Sequence, residues 1–61
     1  MLNNFIEREI KVIKERIEEY QKKSKEAKSL ALTFYYDGLV VAFQTTLSEL
    51  EFLLEVSKTE E

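Results

Sequence analysis

The chain has no cysteine, histidine, proline or tryptophan, and a single glycine, Gly38, among its 61 residues. Each absence removes a class of protein. Without Cys no disulfide can staple the fold, and without Cys or His the usual structural zinc sites cannot be built. The same two absences deprive a catalytic centre of the commonest general base and the strongest nucleophile, so Ser24, Ser29, Ser48 and Ser57 have no His to activate them. A carboxylate-bridged metal centre in a helical bundle wants Glu-x-x-His motifs, and a Ca²⁺ loop wants alternating acids before a Gly; neither pattern occurs. No enzyme activity, catalytic residue, metal ligand or cofactor is therefore expected. Glu15, Glu18 and Glu19 read as a solvated face.

Long apolar runs are also missing. The longest uncharged stretch, Gly38 to Ser48, includes Gln44, Thr45 and Thr46 and falls far short of the roughly 20 apolar residues that a membrane span needs. The first ten residues carry Glu7, Arg8 and Glu9, which interrupts the apolar core of a secretion signal. A cytoplasmic protein with no membrane partner is the expectation.

What remains is 44% hydrophobic and 34% charged, with a net charge of −3. A folded chain of about 60 residues hides only about 60% of the surface its unfolded form exposes, so one small domain is the most this length supports. With disulfides and metals excluded, oligomerisation is the staple left for so small a scaffold. The charges divide near residue 29. Before it, eight cations face six acids, a net of +2; after it, Lys58 stands against Asp37, Glu49, Glu51, Glu55, Glu60 and Glu61, a net of −5. Laying one half along the other, within a chain or between chains, is modestly favoured.

Ile6, Ile10, Ile13, Ile17 and Tyr20 recur at alternating steps of four and three among charged residues, which predicts a helix over about 3–23 with a coiled-coil-like seam. Asn3 or Asn4 can cap its start, and Glu7 with Lys11, Glu18 with Lys22 and Glu19 with Lys23 are favourably spaced pairs. Phe5 and Val12 lie beside the seam and suggest that a second face is covered.

Two patterns compete beyond residue 30. Asp37-Gly38 between Leu-Thr-Phe-Tyr-Tyr and Leu-Val-Val-Ala-Phe is a β-hairpin signal, with Thr46 to Glu49 as a capping box for a last helix. Against it runs a helical stripe of Leu32, Tyr36, Leu39, Val40, Phe43, Leu47, Leu50 and Leu54, opposed by Thr33, Asp37, Gln44, Ser48, Glu51 and Glu55. The stripe outweighs the dipeptide, since a helical Gly costs only about 1 kcal/mol relative to Ala. A second helix over about 30–57 follows.

Residues 24–29 are read as a turn, with Ser24 or Ser29 as the next N-cap, because the first helix's phase runs forward onto Ser24, Ala27, Ala31, Phe34, Gly38 and Thr45 and misses the second stripe. The expected fold is an all-α helical hairpin assembling into an oligomeric bundle, most simply a dimer. The alternatives are one continuous coiled-coil helix and an α-ββ-α chain. The expected oligomer core is Ile6, Ile10, Ile13, Ile17, Tyr36, Leu39, Phe43, Leu47, Leu50 and Leu54.

Phe34, Tyr35 and Tyr36 cannot all face one core, because successive helical positions point about 100° apart. The one left over covers a neighbouring subunit or offers a stacking platform. Asp37 is the only charge between Lys28 and Glu49. With Tyr35, Tyr36 and the basic cluster Lys22, Lys25 and Lys28 it makes a candidate partner surface. Lys22, Lys23, Lys25 and Lys28 could meet phosphates, but the acidic balance and the lack of any nucleic-acid module argue against nucleic acid.

The charged first helix, followed by Tyr-Tyr-Asp-Gly-Leu at Tyr35 to Leu39 and by Leu47, Leu50, Leu53 and Leu54, resembles small uncharacterised helical proteins of bacteriophages and prophages. The likeness covers the second half and implies no activity. It implies a second functional class beside the assembly module: a protein that occupies a host protein or sequesters a small-molecule signal.

Overall fold

Isoleucines isolated among charges can be buried only if their helix finds a second apolar surface, and the chain supplies it by folding back on itself. The computed structural model describes residues 2–60. They form α1, Leu2–Glu26, and α2, Leu30–Glu60, with no strand among the described residues. The two helices of 25 and 31 residues pack antiparallel into a rod 48 × 14 × 10 Å. The fold is a helical hairpin.

The contact is a heptad seam on both partners. Asn3, Ile6, Ile10, Ile13, Ile17, Tyr20 and Ser24 face inward from α1, followed in the same phase by Ala27 of the connection, and Thr33, Tyr36, Val40, Phe43, Leu47, Leu50, Leu54 and Ser57 from α2. Alternating steps of three and four keep this seam turned toward the partner over the whole rod, as in a coiled coil. Ile6, Ile10, Ile17 and Val40 are its most buried apolar residues. Polar pairs tie the two ends: the Ser57 hydroxyl donates to Asn3 Oδ1 at the open end, and the Ser24 hydroxyl to Asp37 Oδ1 at 2.5 Å near the turn. From one pair to the other both helices advance by almost the same number of residues, so the register does not slip.

Residues 27–29 separate the helices. No strong apolar side chain there can carry the α1 seam onward, and Ser29 starts α2 by accepting the Leu32 N–H on its side-chain oxygen at 3.1 Å, the N-cap role expected of Ser24 or Ser29. Ser24 stays within α1 and its carbonyl accepts the Ala27 N–H at 3.3 Å. A continuous helix is therefore ruled out: folding back buries both seams, whereas a single rod would leave both open. The α-ββ-α alternative is ruled out as well. Asp37 and Gly38 lie inside α2 and no glycine has a positive φ, which a two-residue Asp-Gly hairpin turn requires.

Two local expectations need correction, and the capping box of the α-ββ-α alternative falls with that alternative. Leu2 is already helical, so Asn3 and Asn4 sit within the first turn rather than capping it, and Asn3 is used across the seam. Thr46 lies in the interior of α2, its hydroxyl donating to the Ala42 carbonyl at 3.1 Å, so no capping box forms with Glu49. Of the three spaced Glu-Lys pairs, Glu19–Lys23 closes, at 3.3 Å; Glu7–Lys11 and Glu18–Lys22 form no ion pair among the described residues. Both ion pairs among the described residues, this one and Arg16–Glu19, lie within α1, so none crosses between the oppositely charged halves.

Candidate interaction surface

An aromatic stack anchors the seam near the turn. Tyr20 enters from α1 between Tyr36 and Phe43, which lie one heptad apart on α2. Its ring centroid is 6.0 Å from Tyr36 and 5.7 Å from Phe43, with interplanar angles of 22° and 4°. Lys23 lies 5.6 Å from the Tyr20 centroid, adding a cation–π contact at an exposed edge. Tyr35 packs its ring edge-on against Tyr36 at 5.3 Å but points outward and stays 60% exposed. It is the aromatic left over from the Phe34-Tyr35-Tyr36 run, together with Phe34.

The expected core residues all lie on or beside the seam: Ile6, Ile10 and Ile17 are buried, and Ile13, Tyr36, Leu39, Phe43, Leu47, Leu50 and Leu54 are half-buried. Val40, Tyr20 and Ser57 belong with them. Leu32 does not, being 46% exposed, and Thr33 takes the inward position instead. The α2 stripe thus runs one residue later at its start than the apolar pattern suggests, because Thr33, not Leu32, continues the heptad back from Tyr36 and Val40. Asp37 likewise does not simply face water on a polar stripe; it accepts the Ser24 hydroxyl.

The candidate partner residues are divided. Lys25 and Asp37 share a shallow hollow with Gln21, Ser24, Val40 and Val41. Lys28 and Tyr36 line a different one with Lys23 and Leu32. Lys22 and Tyr35 are exposed and line neither.

A larger feature lies on the side of α2 turned away from α1. Phe34 and Phe52 are 64% and 68% exposed and stand a whole number of 3.6-residue turns apart, on one line along the helix. Gly38, Val41, Thr45 and Val56 share that side. From Leu30 to Ser48 the only charge on α2 is Asp37, which is turned toward Ser24. At the open end Leu53 and Val56 continue the apolar surface into a groove closed by Leu2 and Phe5 of α1. The outside of α1, by contrast, offers Leu2 and Phe5 at the open end and then only Val12 as large apolar side chains among charges.

The rod as a whole is thinly covered for its mass. A compact monomer of 7.2 kDa has an accessible surface of about 4,100 Å² on the general scaling of surface with mass. The chain has 4898 Å². The excess is of the order of the ~800 Å² that one partner contributes to a standard protein interface. No side chain is fully buried among the described residues, and Phe34, Tyr35, Val41, Phe52 and Leu53 are each more than half exposed.

Among the described residues no cluster of three or more His, Cys, Asp or Glu could hold a metal ion, and no helix is long and apolar enough to cross a membrane. No family model, curated protein or solved structure matches the chain significantly.

Proposed function

We propose that the chain is a non-enzymatic, self-associating interaction module that works by pairing the outward face of α2 with a second copy, most simply as a four-helix bundle. One observation carries the reading: the apolar, nearly uncharged side of α2 around Phe34, Val41 and Phe52, left open by the hairpin. Leaving that side in water would waste most of the hydrophobic stabilisation available to a chain this small. Sedimentation equilibrium at micromolar concentration tests it. The expected result is twice the chain mass for the native sequence and the chain mass for Val41→Glu with Phe52→Glu, while a folded native monomer would overturn the proposal.

A second reading is favoured by the hollow at Gln21, Ser24, Lys25 and Asp37. It sets amide, hydroxyl, ammonium and carboxylate groups over Val40 and Val41, a mixture suited to a peptide or small polar ligand. On this reading the chain captures a host protein or a small-molecule signal, as its phage-type resemblance implies. It is compatible with self-association, since the hollow and the Phe34–Phe52 line share only Val41.

A further inference from the structure

If two copies associate through α2, the helix pair has two possible directions, and the distribution of side chains chooses between them. We propose that the two α2 helices pack antiparallel about a two-fold axis level with Phe43, bringing Phe34 of each copy against Phe52 of the other. This deepens the self-association reading and rests on it.

The pattern on the outward face is symmetric about that level. Phe34 and Phe52 lie equally far on either side of Phe43, and so do Leu30 and Val56, and Val41 and Thr45. Bulky rings therefore stand at both ends of the face and small side chains at its centre. Gly38 fits this shape: a Cβ built on it meets nothing within 4 Å in the hairpin, so packing inside the chain does not explain why a costly helical glycine stands there. A helix crossing close to the centre of the face gains from its missing side chain.

Charge decides the direction. Glu49, Glu51 and Glu55 all lie in the second half of α2, while Leu30 to Ser48 carries only Asp37. Parallel packing would set each of those acids beside its own copy, an unfavourable like-charge arrangement. Antiparallel packing moves Glu51 and Glu55 level with the uncharged Tyr35 and Ala31 of the partner helix, and leaves only Glu49 level with an acid, Asp37, which is turned toward Ser24. It also brings Glu55 level with the start of the second copy's α2, close to Lys25 in the last turn of α1 and Lys28 in the connection. Among the described residues neither of those lysines is used in an ion pair, and both ion pairs there are local to α1. The unlike halves of the sequence would then meet between copies.

The absence of native cysteine makes the test direct. Leu30→Cys and Val56→Cys chains are prepared separately, checked for association by sedimentation, then mixed in equal amounts and oxidised mildly. Antiparallel pairing predicts the mixed disulfide in large excess, with both homodisulfides nearly absent. The two Leu30 positions would lie roughly 39 Å apart along the axis at 1.5 Å per residue, far beyond the ~7 Å Cα separation a disulfide tolerates. Homodisulfides in a dimer would overturn the proposal in favour of parallel packing. A dimer that forms no disulfide would also overturn it, by placing the contact on another face. Should either variant fail to associate, Ala31→Cys with Glu55→Cys tests the same register while keeping every large apolar side chain. A native monomer in sedimentation would instead refute self-association itself, so the two failures remain distinct.

Discussion

Tyr20 of α1 lies face to face with Phe43 of α2, their ring centroids 5.7 Å apart and their planes 4° from parallel. This contact joins the two helices where the α1 seam passes from isoleucine to small polar residues, so the stack replaces aliphatic packing toward the turn. Phe43→Ala should cost about 2 to 4 kcal/mol per chain, below the full range for a buried Phe because the ring is half-exposed. Tyr20→Phe keeps the stack and should stay within about 1 kcal/mol of the native chain. Chemical denaturation followed by circular dichroism measures both.

Thr33 and Gln44 separate the observed seam from the one suggested by the apolar residues alone. Thr33 faces inward and its hydroxyl donates to the Ser29 carbonyl at 3.1 Å, whereas Gln44 is exposed. Gln44→Ala should change stability by no more than about 0.5 kcal/mol. Thr33→Ala should cost more, about 1 kcal/mol, and Leu50→Ala about 2 to 5 kcal/mol. Equal effects at positions 33 and 44 in thermal melts would contradict the heptad assignment.

Asn3 and Ser57 form a polar pair at the open end of an otherwise apolar seam. Ser57→Ala removes the donor and should cost about 0.5 to 1.5 kcal/mol. Replacing both, Asn3→Leu with Ser57→Leu, should recover stability but weaken the preference for one register, since polar seam positions specify alignment at a cost in stability. A double-mutant cycle, together with amide exchange in the last turns of α2, reads the two effects separately.

Gly38→Ala isolates helix propensity from packing. With open space where the Cβ would stand, the substitution should raise the stability of the dissociated hairpin by up to about 1 kcal/mol. The gain should shrink at concentrations where chains associate. Thermal melts across a dilution series provide the comparison.

Asp37→Asn and Lys25→Glu address the polar hollow. Asn still accepts the Ser24 hydroxyl, and Lys25 is exposed, so both variants should fold, and Asp37→Asn should sediment as the native chain does. The capture reading expects both to weaken retention of a partner or ligand in affinity capture and native mass spectrometry. Retention that ignores both substitutions counts against this hollow as the binding surface.

The hairpin was legible where apolar residues are scarce and obscure where they are plentiful. On α1 the isoleucines stand alone among charges, so only one face could be buried and its phase was plain. On α2 nearly every side bears apolar residues; Leu32 and Thr33 are adjacent, and hydropathy alone favoured the wrong one. The Ser24–Asp37 bond was hidden for another reason. It depends on the register between helices, which the turn sets, and residues 21–29 contain no Gly or Pro to locate that turn. Phe34, Val41, Phe52 and Val56 are an apolar excess lying off the α2 stripe, but their continuity along one side can be seen only once the inward side is fixed.

The two polar pairs differ in how far apart the chain holds their members. Ser24 and Asp37 are 13 positions apart, Asn3 and Ser57 are 54. Loop-closure entropy grows with the logarithm of length, so meeting first at the open end would cost about 1.3 kcal/mol more than meeting first at the turn. The order of folding follows from that difference. Chain reversal at residues 27–29 and the Tyr20 stack should come first, the isoleucine layers should close in sequence behind them, and Asn3 should find Ser57 last. With no proline to isomerise and no disulfide to form, nothing slow interrupts this zipper, and on heating it should open from the other end.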